Sequence, residues 1–142
     1  MVSRSIQRPT SLGRRAWILL VPLVLAGCAA LSPAPPEELV RQRAQARWAA
    51  LIDGDWSKAY QYMAPSYRAV VEQKRYANQF GGGATWLAAE VVNVTCAEDR
   101  CTVRMKVTYQ PVIGMRGGEP SSTHFNETWI REEGQWWMFQ RV

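Results

Sequence analysis

The spacing of apolar positions changes once along the chain, and that change separates a helical part from a strand part. Between residues 36 and 52, Val40, Ala44, Trp48, Leu51 and Ile52 recur at helical spacing, with Arg41, Arg43, Gln45 and Arg47 off that stripe. The pattern predicts an amphipathic helix, stopped by Asp53-Gly54. Asp55 can cap a second helix with Trp56, Ala59, Tyr60 and Met63 on one side. Pro65-Ser66 starts a third that carries Tyr67, Val70, Val71 and Phe80 as far as Gly81-Gly82-Gly83. From Trp86 the period becomes two, which predicts strands near 86–96, 101–110, 121–131 and 135–142. Helices first and an antiparallel sheet afterwards make an α+β fold of three helices packed on four strands. The stretch Pro111 to Pro120, with Gly114, Gly117 and Gly118, is expected to be a mobile loop.

The first 27 residues do not belong to that domain. Arg4, Arg8, Arg14 and Arg15 give a basic start, and Ala16 to Gly27 is an apolar run broken only by Pro22. The run is too short for a stable bilayer span and suits the apolar region of a signal peptide. It ends Leu25-Ala26-Gly27-Cys28, which resembles the lipobox of bacterial lipoproteins. That resemblance implies cleavage before Cys28 and attachment of acyl chains such as palmitate to its sulfur and often its amine, enough chains for a durable anchor. Ala29, where aspartate usually signals retention in the inner membrane, makes the implied address the outer membrane, with the domain facing the periplasm. Arg14-Arg15 also fits a twin-arginine signal, although the strongly apolar run behind it suits the general secretory route better. Residues 28–36, including Ser32-Pro33-Ala34-Pro35-Pro36, read as a tether reaching about 25 Å at ~3.1 Å per residue, and 37–142 as one domain.

Removing residues 1–27 changes the charge balance. They carry four of the seventeen basic side chains and none of the twelve acidic ones, which leaves thirteen against twelve, about +1. The basic character of the whole chain therefore says nothing about nucleic acid, and no basic patch with interleaved aromatics occurs.

With Cys28 assigned to lipid, Cys96 and Cys101 remain in an oxidising compartment and flank the polar turn Ala97-Glu98-Asp99-Arg100. Pairing them places Val94 opposite Val103 and Val92 opposite Met105, so that one face of the hairpin is apolar and the other carries Asn93, Thr95, Thr102, Arg104 and Lys106. A slip by one residue would mix the two faces. A structural disulfide is the expectation, because C-x4-C lacks thioredoxin-type spacing and has no further ligands nearby.

The helix-then-sheet order, with W-x-x-L-x-x-G-D-W at 48–56, A-P-S-Y-R at 64–68 and E-T-W-I-R-E-E-G-Q-W-W at 127–137, resembles the nuclear transport factor two-like, or cystatin-like, superfamily. The resemblance implies a curved sheet wrapped around the helices as a cone with an internal pocket. Enzymes of that superfamily set a carboxylate or histidine, usually with a tyrosine, inside the cone, because proton abstraction beside a carbonyl needs a tuned base and an oxyanion donor.

Glu90 is the candidate base, in register with Val92 and Val94 and opposite Val107, with Tyr109 as diagonal neighbour. His124, the only histidine, falls near a strand end and suits a polar or packing role, and Glu127 suits pairing with Arg141 or another arginine. No catalytic motif of an enzyme member matches, and neither a phosphate loop, a nucleophile elbow nor a metal-spaced cluster occurs, so no metal or other cofactor is expected. Six tryptophans in residues 28–142 could line a pocket for a small apolar ligand, although core filling suits Trp48, Trp56 and Trp86. The leading expectation is a non-catalytic binding or assembly module. An isomerase or dehydratase using Glu90 and Tyr109 is the alternative.

Adjacent Trp136 and Trp137 must point to opposite sides of their strand. Reading Glu132-Glu133-Gly134 as a three-residue turn opposes Ile130 to Trp136, Trp129 to Trp137 and Glu127 to Phe139. On that register Trp136 and Met138 face the helices, while Trp129, Trp137 and Phe139 form an outer patch for a second copy or an envelope partner, the sheet face through which superfamily members commonly dimerise.

Overall fold

The computed structural model describes residues 34–80, 82–113 and 116–142. The expected signal peptide, Cys28, most of the tether, Gly81 and Gly114 lie outside the described residues.

Helix α1 spans Pro36–Ile52. Pro36 occupies its first turn, where a missing N–H costs nothing, and Glu37 and Glu38 complement the positive end of the helix dipole. Its buried face is Val40, Ala44, Arg47, Trp48, Ala50 and Leu51, so Arg47 lies inside, contrary to its expected place off the stripe. Helix α2 spans Trp56–Tyr60, and the Asp55 carboxylate accepts from the Lys58 N–H at its start.

The expected third helix is instead two single turns, α3 at Pro65–Arg68 and α4 at Gln73–Ala77, followed by a 3₁₀ turn at Asn78–Phe80. The break falls at Val70-Val71, two β-branched residues that propagate a helix poorly. Breaking there buries Val71 and leaves Val70 61% exposed. The Tyr60 hydroxyl donates to the Val71 carbonyl at 2.6 Å and so satisfies part of the opened backbone.

Four long antiparallel strands follow, β1 at Ala84–Ala97, β2 at Arg100–Ile113, β4 at Ser121–Glu132 and β5 at Gln135–Phe139, in the order β1-β2-β4-β5. A two-residue strand β3, Arg116–Gly117, returns along the end of β2, so part of the expected loop at 111–120 is sheet. Beyond β5, Met63 makes a parallel bridge to Met138. The Met138 N–H donates to the Tyr62 carbonyl and the Ala64 N–H to the Met138 carbonyl.

The β1–β2 pair keeps Cys96 opposite Cys101 and Val94 opposite Val103, and the two cysteines are joined by a disulfide. Further along, β1 bulges twice, between Val91 and Asn93 and between Trp86 and Ala88. Each bulge leaves one residue without a partner, and those residues, Val92 and Leu87, are 48% and 43% exposed. Val91, not Val92, therefore opposes Met105, and Glu90 opposes Lys106 instead of Val107. The two shifts keep Trp86, Ala89, Val91 and Val94 on the helix side and turn the Glu90 carboxylate out to water. Burying it there unpaired would cost several kcal/mol, about 2–7 even for a neutral polar group.

The last hairpin also differs by one residue. Its turn is the two-residue Glu133-Gly134, both with positive φ (52° and 76°), so Glu132 pairs with Gln135, Ile130 with Trp137 and Trp129 with Met138. Trp129 consequently joins the core with no exposure, and Trp136 is buried as well. The expected outer patch of Trp129, Trp137 and Phe139 does not form, since Trp129 is inside and the other two are half-buried.

Candidate functional site

The concave side of the sheet meets α1 in an aromatic interior. The Trp48 ring stands edge-on to Trp86 with centroids 5.6 Å apart and tilted against Phe125 at 5.7 Å, and Trp86 in turn meets Tyr109 at 6.2 Å. These rings pack between α1 and the sheet. Beside Trp86 lies a cleft of about 210 Å³ lined by Leu51, Ile52, Trp56, Phe80 and Trp86, with Trp56 and Phe80 stacked nearly parallel.

At the centre of the interior lies Glu127, only 3% exposed. Its Oε1 accepts from Arg47 Nη1 at 2.9 Å and from Trp48 Nε1 at 2.8 Å, and its Oε2 accepts from Trp129 Nε1 at 3.1 Å. Arg47 Nη2 donates to the Tyr76 hydroxyl at 3.3 Å. Burial pushes the Tyr76 phenol above its ordinary range, a shift opposed by the charge and hydrogen bond of Arg47. The network ties α1, α4 and β4 together around one ion pair. A buried carboxylate held by a guanidinium and two indoles braces the fold.

That brace was readable in principle. Glu127 lies two residues before Trp129 on one strand face, and Arg47 lies one turn from Ala44 and Leu51. The expectation that Glu127 pairs with an arginine fits, but the partner is Arg47 and not Arg141.

The sequence-derived candidates are scattered. Glu90 is exposed and lines, with Arg41 and Gln45 of α1 and Val91, a cleft of about 520 Å³ along β1, while Tyr109 lies opposite Trp86, so the register sets the two candidates on opposite faces of the sheet. Glu90→Gln is accordingly expected to change stability by no more than about 0.5 kcal/mol in urea unfolding, as for other exposed positions. His124 is exposed and pairs with Lys106 across the strands. Phe139 is half-buried with the Arg100 guanidinium 5.8 Å from its ring centre.

Trp137, on the opposite side of its strand from Trp136, lies among cations. The guanidinium carbons of Arg43 and Arg68 are 4.8 and 5.3 Å from its ring centroid, and Arg43 is also 5.2 Å from the ring of Tyr62. Its indole N–H donates to the Glu132 carbonyl at 3.0 Å. The expected hydrophobic contact surface is thus covered by arginines of the same chain.

No family model and no curated protein matches the chain. Solved structures do. A SEC-C motif containing protein from Rhodopseudomonas palustris is 19% identical over 74% of this chain and 75% of its own, with TM-score 0.55. One from Psychrobacter arcticus is 15% identical over 75% and 62%, with TM-score 0.56. A putative dehydratase of the NTF2-like family from Streptomyces avermitilis is 13% identical over 71% and 90%, with TM-score 0.50. The described domain thus has the α+β cone fold found in nuclear transport factor two-like proteins. At these identities the likeness is one of fold alone, and a fold shared by many chemistries assigns none of them.

Proposed function

We propose that this chain is an envelope lipoprotein, anchored in the outer membrane through acyl chains on Cys28, whose periplasmic cone domain binds or assembles without catalysing a reaction. The observation that carries the non-catalytic part is the filled interior. Trp48, Trp86 and Phe125 pack between α1 and the sheet, Glu127 is committed to three donors, and Glu90 and Tyr109 lie on opposite faces. The lipobox Leu25-Ala26-Gly27-Cys28 carries the anchor. The partner is another envelope protein or a second copy, and crosslinking in the intact cell envelope would identify it.

A second reading, a small apolar ligand held between Trp56, Phe80 and Trp86, is favoured only by the cleft beside Trp86. The anchor is tested by growing expressing cells with an alkyne analogue of palmitate. The wild-type protein should take up the label and fractionate with outer membranes, and Cys28→Ser should take up none. Label retained in Cys28→Ser, or absent from the wild type, sinks the proposal.

A further inference from the structure

Among the described residues, Arg43 is a cation without an anionic partner. The ion pairs are Arg47 with Glu127 and Arg131 with Asp99, and neither involves it. Its Nε is buried with no hydrogen-bond acceptor, and burial draws its guanidinium below the ordinary value. It lines a cleft of about 300 Å³ with Lys58, Gln61, Tyr62, Gln135 and Trp137. No carboxylate lines that cleft. Three acids near it in sequence are engaged elsewhere, Glu38 by the Gln42 amide, Asp55 by the Lys58 N–H and Glu132 by the Ser66 N–H and hydroxyl.

The arrangement resembles half of a charge pair. The half-buried guanidinium has given up part of its hydration without gaining a counter-ion, and an arriving anion would recover part of that cost. The guanidinium carbon lies 4.8 Å from the Trp137 ring centroid and 5.2 Å from that of Tyr62, contacts that restrict the side chain beforehand and reduce the freedom lost on binding. Lys58 supplies a second cation, and the amides of Gln61 and Gln135 with the Tyr62 hydroxyl supply neutral donors. Two cations with several neutral donors match the several oxygens of a phosphate group better than the two of a carboxylate.

We propose that the cleft between α1, the end of α2 and the start of β5 binds a phosphate group, with Arg43 and Lys58 as its charged contacts. This deepens the binding reading above and rests on it. The phosphate arrives either as a free phosphate or as the glycerol phosphate of a lipid headgroup.

The test is calorimetric titration of the full chain, in nonionic detergent, with inorganic phosphate and separately with glycerol 1-phosphate, at constant ionic strength. Saturable binding with Kd at or below about 1 mM is expected for at least one of them. Arg43→Gln and Lys58→Gln should each weaken it about tenfold, while Lys74→Gln on α4 leaves it unchanged. Binding of glycerol 1-phosphate but not of inorganic phosphate identifies the headgroup as the source, and equal binding identifies the free ion. No saturable binding, equal heat from sulfate and acetate, or unchanged affinity in both cleft variants with native circular dichroism overturns the proposal. Acyl labelling of Cys28 is unaffected by any of these outcomes, so failure of the site and failure of the anchor are read separately.

Discussion

Glu127→Ala is expected to remove about 3–5 kcal/mol of stability, the cost typical of breaking a buried ion pair from one side. The loss has three sources at one residue. Arg47, only 3% exposed, keeps its charge with no counter-ion, and the indole N–H groups of Trp48 and Trp129 lose their acceptor. A small domain has about 5–15 kcal/mol in all, so the variant should approach the unfolding threshold at ordinary growth temperatures. Urea unfolding followed by circular dichroism measures it. Glu127→Gln keeps the shape and one acceptor oxygen while removing the charge and turning an NH2 group toward one of the indole donors, so it should fall between wild type and Ala. A Glu127→Ala protein as stable as wild type would show that the ion pair does not brace the fold.

Trp129→Ala should cost a comparable amount, about 3–5 kcal/mol, through a large cavity and lost apolar burial. Trp129 has no exposed surface, lies opposite Cys101 on one side and Met138 on the other, and donates to Glu127. Trp129→Phe keeps most of the packing and removes the N–H, so it isolates that hydrogen bond, worth about 1.5–3 kcal/mol to a charged acceptor. An outward-facing Trp129 would instead give a change of no more than about 0.5 kcal/mol on truncation. The two placements of the last hairpin are therefore separated by one unfolding curve.

The features readable from sequence are those enforced by long periodic patterns. Helix α1 begins and ends at the expected residues, the Asp55 cap is in place, and all four long strands fall near their expected positions. The disulfide hairpin has the register that its alternation demands near the turn. What escaped was set by single residues. Val91-Val92 offers two equivalent side chains for one inward position, and only the penalty on burying Glu90 selects the bulge that uses Val91. Glu133-Gly134 and Glu132-Glu133-Gly134 are both plausible turns. Choosing the shorter moves Trp129 from a surface to the core, because a one-residue slip reverses every side chain beyond it. Arg47 was hidden by its type, since an arginine on an apolar stripe reads as misplaced until its carboxylate is found across the core. The cleft at Arg43 had no local signature, as α1, α2 and β5 meet there only in the folded chain.

The bridge between Met63 and Met138 occupies hydrogen-bonding groups on the outer side of β5. At the other margin, β1 is bent by its two bulges, and α1 reaches over it. Arg41 donates to the Val91 carbonyl and Gln45 to the Ala89 carbonyl. Part of each margin of the sheet is thus occupied. A neighbouring molecule therefore finds an interrupted template for extending the ladder, which disfavours fibrous growth where many copies crowd together.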